Sequence, residues 1–231
     1  MMAGAGPGVS RRRAILALDS ATAACSAAVW RNGAVAARRF AVPGRGHAEL
    51  LIPMIQAVMA ESGLAYRDLD SIAATVGPGT FTGLRIGLAA ARGLAMAAGL
   101  PLIGVTTLEA VAAGVAASLR AGRTTVVALD ARRGQVYAQA FDTALGPLSA
   151  PAALEPAAVP TLAPGRPVVL VGTGASLVAA HFEAARRAPG DGLPDAAVVA
   201  ALAVGRAASE ATEVAPFYLR DPGATPPDVT G

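Results

Sequence analysis

The segment Thr75-Val-Gly-Pro-Gly-Thr-Phe-Thr-Gly-Leu-Arg-Ile-Gly87 constrains the fold of this chain more than any other. A short apolar run ends in Gly-Pro-Gly, which reads as a turn, and Thr80 stands where a helix cap belongs. Glycines 79, 83 and 87 then recur at every fourth position and stack on one helical face. An interior glycine costs about 1 kcal/mol relative to alanine, so something must approach that face closely. The spacing G-x-G-x-x-x-G departs from the dinucleotide pattern G-x-G-x-x-G, and no Gly-Lys-Ser/Thr follows. Three explanations stay open: an anion-binding helix start, packing within the chain, and contact with another subunit.

Projection of residues 80–98 as a helix separates its faces. Leu84, Leu88, Ala91 and Ala95 form one apolar stripe, suited to a parent sheet. Gly79, Gly83, Ile86, Gly87 and Ala90 form a second, smooth stripe that needs another partner. Arg85 and Arg92 share the polar side.

The flanking pattern supplies the architecture. Residues 14–18, 25–30 and 34–40 read as three antiparallel strands, with Asn32-Gly33 as a hairpin turn. Residues 47–62 read as a helix with Leu51, Ile55, Val58 and Met59 on one face and Pro53 disturbing its first turns. A strand at 71–76, the glycine helix, a strand at 102–105 and a helix from Thr106 or Thr107 to about 119 complete the first half. The pattern then restarts. A strand at 124–129 ends in Asp130, as the first ends in Asp19, and 134–141 is its hairpin partner. Proline-rich connections at 147–167, a strand at 168–171, and helices near 175–188 and 195–209 follow. A βββαβα-type lobe used twice is the order of the actin-like, Hsp70 and sugar-kinase (ASKHA) α/β fold. The expected division is an extension at 1–12, an N-terminal lobe at 13–112, a C-terminal lobe at 113–220 and a flexible tail at 221–231.

Composition narrows the function classes. The hydrophobic fraction is 54%, yet the apolar runs are broken well before membrane-spanning length. Arg11-Arg12-Arg13 is followed by too short an apolar core for a signal peptide. The one cysteine, Cys25, excludes an internal disulfide and points to the cytoplasm. All 19 basic residues are arginine, the net charge is only +3, and aromatics are 4%. That is compatible with a weak RNA contact but not with a dedicated base-stacking module. The two histidines, His47 and His181, make no His-x-x-x-His pair, so no helical metal site is expected. A Cys25–His47 nucleophile pair stays open beside the plainer reading of a packed core thiol.

Nucleotide features are present in the actin-like order. Asp19, Ser20 and Thr22 occupy the first hairpin, Asp130 the second, and Gly172 and Gly174 the strand-to-helix turn that covers adenosine in that superfamily. They argue for descent more than for ATP hydrolysis.

Several segments resemble the TsaB (YeaZ) family. They are Ile15 through Trp30, His47 through Ile55, the glycine segment continuing to Leu108, Leu129-Asp-Ala-Arg-Arg-Gly-Gln-Val-Tyr137, and Pro216-Phe-Tyr-Leu-Arg220. The resemblance implies a non-catalytic subunit of the bacterial tRNA threonylcarbamoyladenosine machinery. Its partners would be the catalytic paralogue TsaD, the ATPase TsaE, a second copy of itself when TsaD is absent, and tRNA through the complex. No membrane partner and no required cofactor are implied, although weak ATP or ADP binding is compatible with the fold. The paralogue's metal-binding His-x-x-x-His pair falls on Thr106-Thr-Leu-Glu-Ala110 here, so an older glycoprotease label is not expected to hold. On this reading, Leu51, Ile55, Val58, Met59, Gly79, Gly83, Ile86, Gly87 and Ala90 form the subunit interface. Ala21, where the family often has Ser or Thr, weakens the case for nucleotide. The rival is a stand-alone actin-like ATP-dependent kinase or transferase using Asp19 and Asp130.

Overall fold

Among the described residues, ten strands pair into two five-stranded sheets of identical pattern. The computed structural model describes residues 13–44 and 46–220, so the expected extension at 1–12 and tail at 221–231 lie outside the described residues. The first sheet contains β1 (Ala14–Asp19), β2 (Cys25–Arg31), β3 (Ala34–Ala41), β4 (Ser71–Gly77) and β5 (Leu102–Thr106), in the order β3-β2-β1-β4-β5. Asn32 and Gly33 both take positive φ, which closes the β2–β3 hairpin as the Asn-Gly pair requires. β4 and β5 add in parallel. The second sheet contains β6 (Thr124–Asp130), β7 (Val136–Phe141), β8 (Ala152–Leu154), β9 (Val168–Val171) and β10 (Ala185–Arg187), in the order β8-β7-β6-β9-β10. The repeated pattern is that of the two-lobed actin-like fold.

Alternation along the central strands explains the layers. Leu16 and Leu18 of β1 face one core with α1 (His47–Ser62) and α2 (Phe81–Ala98). Ile15 and Ala17 face the opposite core. That core is covered by α3 (Thr107–Ala113) and by α6 (Ala196–Ala203), through Ala196, Val199, Ala200 and Ala203. In the second lobe, Val126 and Ala128 pack toward α5 (Ala175–Ala179). Val127 and Leu129 pack against Leu108, Val111 and Ala112 of α3. α3 therefore touches both cores and joins the lobes.

Three expectations need correction. The helix after β5 stops at Ala113, before Gly114, and a separate turn α4 (Ala117–Arg120) follows; glycine is a poor helix former. Near 175–188 only α5 is helical, and Ala185–Arg187 is an edge strand paired with Val168–Leu170. Sheet completion overrides the weak local preference of Ala-Arg-Arg there. Finally, the stretch from Ala196 to Tyr218, expected in the second lobe, packs on the first, and only Arg220 at its end reaches the second. α6 packs on the first sheet, Ser209 bridges Leu102, and the Phe217 amide donates to the Val76 carbonyl at 2.7 Å. An Ala/Val-rich helix is apolar all round, so its sequence does not say which sheet it covers. α1 keeps Pro53 within one helix over its full span.

α3 is fixed by a capping box. Thr106 Oγ1 accepts from the Glu109 amide at 3.2 Å, and Glu109 accepts from the Thr106 amide at 3.0 Å. Burial raises the Glu109 pKa, but the Arg206 guanidinium and the Thr106 donors outweigh it and hold the carboxyl below its usual value.

Candidate functional site

The glycine face of α2 is turned inward. Ser20 and Ala21, in the turn between β1 and β2, lie directly on it. Thr80 donates its amide to the Ala21 carbonyl at 2.7 Å, and Ser20 Oγ donates to the Gly83 carbonyl at 2.8 Å. A Cβ on Gly79 would stand 3.1 Å from the Ala21 Cβ and collide with the Ala21 carbonyl oxygen. One on Gly83 would collide with the Ser20 carbonyl oxygen, and one on Gly87 would sit 2.7 Å from Ser20 Oγ. The close approach that these glycines permit is to the chain's own hairpin. Gly79, Gly83 and Gly87 are thus corrected from interface to internal packing. Leu51, Ile55, Val58 and Met59 are likewise buried in the first core and cannot meet a partner. Helical periodicity finds the apolar stripe of α1 but cannot tell core from interface.

A different stripe is exposed. On α2 it comprises Ala89, Gly93, Met96 and Ala97, flanked by half-buried Ile86 and Ala90. No atom lies within 4 Å of a Cβ built on Gly93. On the neighbouring α1, Ile52 is 45% exposed, and Met96 is 66% exposed. α1 and α2 contact each other along the same side of the sheet. The two helices therefore present small and apolar side chains that no other described residue covers. The positions were legible as small residues at spacings of three and four, but the signal of the three glycines hid them.

At one end of this surface, Arg85 stacks on Phe81, with its guanidinium carbon 3.6 Å from the ring centroid. Tyr218 lies beside the same ring, at 5.7 Å between centroids. The segment carrying Tyr218 runs from the first lobe to the second: Arg92 holds the Val214 carbonyl, and Arg220 reaches the Ala131 carbonyl and the Tyr137 ring.

The candidate nucleotide residues are split. Thr22, Thr80, Asp130, Arg132, Tyr137 and Thr173 line an interlobe cleft of about 250 Å³. Asp19 and Ser20 are not in it. Both are buried. Asp19 Oδ1 accepts from the Thr75 hydroxyl at 2.6 Å and the Ala21 amide at 3.2 Å, while Oδ2 has no partner. Burial pushes the Asp19 carboxyl up to about 7, opposed by the Thr75 and Ala21 donors and aided by the charge of Asp195. Asp130 accepts from the Arg132 amide at 2.8 Å and lies 3.6 Å from its guanidinium. Gly172 and Gly174 press on Ala128 and Asp130 of β6, so their missing side chains serve strand packing.

Cys25 and His47 do not form a nucleophile pair. The thiol points to the His47 backbone carbonyl at 3.9 Å, and the imidazole Nε2 meets the Thr22 carbonyl at 3.1 Å. Burial first, and the nearby Asp19 second, push the thiol up to about 11, so it is neutral. Among the described residues, no three His, Cys, Asp or Glu side chains converge on a possible metal position.

Comparison with known proteins places the two-lobed fold in a family. The family model for TsaD, tRNA N6-adenosine threonylcarbamoyltransferase, matches residues 41–226. A structure of YeaZ from Pseudomonas aeruginosa superposes with a TM-score of 0.79 at 31% identity, over 90% of this chain and 100% of that one. This chain belongs to the TsaB (YeaZ) family. The Escherichia coli protein TsaB, of tRNA threonylcarbamoyladenosine biosynthesis, is 47% identical over 124 residues, which are 53% of this chain and 52% of that protein. The Haemophilus influenzae TsaB is 40% identical over 123 residues, 53% and 51% of the two chains. The chain spans about half the length of the curated relatives it matches. Among the described residues, no helix is long and apolar enough to cross a membrane.

Proposed function

We propose that this chain is a non-catalytic scaffold subunit in tRNA threonylcarbamoyladenosine biosynthesis, acting in the cytoplasm by docking the catalytic paralogue TsaD. The observation that carries this reading is the surface of α1 and α2 left uncovered by the described residues. Exposed apolar side chains on two packed helices are a common mark of a protein interface. Small residues at Ala89, Ala90, Gly93 and Ala97 let a partner helix approach, while Ile52 and Met96 supply apolar contact. In the absence of TsaD, the same surface would pair two copies, and TsaE would join the assembled complex. The stretch aligned with the paralogue's histidine pair supports the non-catalytic reading, because Thr106 and Glu109 spend their side chains on capping and on Arg206.

A stand-alone kinase is less well supported. Ligand pockets for drug-sized molecules usually span about 300–1,000 Å³, and the interlobe cleft is smaller, at about 250 Å³. Asp19 is sealed from it, and burial holds its carboxyl partly protonated near pH 7. Any ATP or ADP would require the lobes to open, and no cofactor is needed for docking.

The test is threonylcarbamoyl transfer to unmodified tRNA by TsaD and TsaE, supplied with the adenylate donor, with and without this chain. Activity that depends on the chain is expected, with none from the chain alone. Ala89→Arg with Gly93→Arg should abolish both pairing and stimulation while leaving the far-UV circular dichroism of the isolated chain unchanged. Transfer that proceeds equally without the chain would overturn the reading.

A further inference from the structure

The second lobe carries a groove that the docking surface does not use. It lies at the starts of β6, β9 and β10, the opposite end of that sheet from the interlobe cleft, and encloses about 1080 Å³. Arg123, Arg166 and Arg186 line it, together with His181, Phe182 and Glu183. None of the three arginines makes an ion pair among the described residues. The nearest acid in the adjoining hollow, Asp142, spends Oδ1 on the amides of Ala144 and Gly146 at 2.8 and 2.7 Å. Three guanidiniums against two carboxylates, Glu183 in the groove and Asp142 in the adjoining hollow, leave a net positive charge there, although the whole chain carries only +3.

The shape selects the class of occupant. The groove is open to solvent along its length, whereas small-molecule sites bury most of their ligand. Pro160, Pro164 and Pro167 stiffen its wall, so little ordering cost falls on binding. Planar guanidiniums suit phosphate oxygens bidentately. Phe182, half-buried on the lobe's core, and His181 offer flat faces on which an unpaired base can stack. We infer that this groove holds the phosphate backbone of RNA, with Arg123, Arg166 and Arg186 as the phosphate contacts. The identity of that RNA as tRNA rests on the proposed function; the electrostatic and stacking argument does not. The groove sits on the second lobe and the docking surface on the first, so one chain can hold TsaD and RNA together.

The experiment compares the complex of this chain with TsaD, wild type and Arg123→Ala/Arg166→Ala/Arg186→Ala, in binding unmodified tRNA transcript from 50 to 200 mM salt. Pairing with TsaD is read in parallel by size-exclusion chromatography. The triple variant should pair normally, bind tRNA about tenfold or more weakly, and lose about two from the magnitude of the log K against log salt slope. A control, Arg31→Ala/Arg67→Ala on the first lobe, should leave the slope unchanged. An unchanged slope in the triple variant, or an equal loss in the control, would overturn the groove assignment. If wild-type chain and TsaD fail to pair, the scaffold reading falls instead. The same variants, titrated with RNA on the isolated chain, then still decide the groove.

Discussion

Asp19 is the most demanding single side chain in the molecule. It is fully buried, has one oxygen without a partner, and its pKa is raised to about 7. An unfolded aspartate titrates near 3.9. Between these values the native state keeps a proton that the unfolded state has lost. The group's contribution is therefore fully present below about pH 4 and is lost as pH rises through about 7. The loss is on the order of 4 kcal/mol across that window. Asp19→Asn removes the titration, so its urea midpoint should gain on the wild type as pH rises from 4 to 8; parallel profiles would contradict the assignment. The glycines make a second residue-level prediction. Gly83→Ala drives a methyl group into the Ser20 carbonyl and should cost about 1–3 kcal/mol by overpacking. Gly93→Ala meets open space and should gain up to about 1 kcal/mol from helix propensity. Thermal unfolding separates the two. The motif was legible as a line of glycines demanding a close neighbour; the neighbour, a hairpin some sixty residues earlier in the chain, was not. No local pattern encodes which backbone lies above a helix.

α6 shows what an element can conceal. Its eight residues, Ala-Ala-Val-Val-Ala-Ala-Leu-Ala, bury four of their side chains on the first sheet, although the chain reaches them from the second lobe. Its start is fixed by Asp195, which accepts from the Ala197 amide at 2.9 Å and also holds Arg38 through Nε at 2.8 Å. The cap carries most of the stabilisation, because a partly exposed ion pair contributes little. Asp195→Ala should lower stability by about 1 kcal/mol, and Asp195→Ser should restore most of it. Equal losses in chemical denaturation would shift the weight to Arg38. α1 and α2 teach the complementary lesson. Their boundaries follow from Gly63, Thr80 and Gly99, all readable in the sequence. Their outward faces depend on how the two helices lie on the sheet, and that rotation is set by packing.

The whole molecule is held together by α3 and by the segment from Val214 to Arg220. That segment is tied to Val76 and Arg92 in the first lobe and to Ala131 and Tyr137 in the second. Arg220→Ala should speed amide exchange around residues 130–137 while leaving α1 and α2 protected; unchanged exchange at the β6–β7 turn would show that α3 alone sets the lobe contact. Strand alternation, the Asn-Gly turn, the caps and the restart after residue 123 were enough to yield two lobes of one pattern, because these signals act over a few residues. Four features arose only when distant parts met: the burial of Asp19, the inward turn of the glycine face, the return of α6 to the first sheet, and the gathering of three arginines from separate strand starts. Each depends on contacts across many residues of chain, where the energy comes from surfaces excluding water together and not from any local preference.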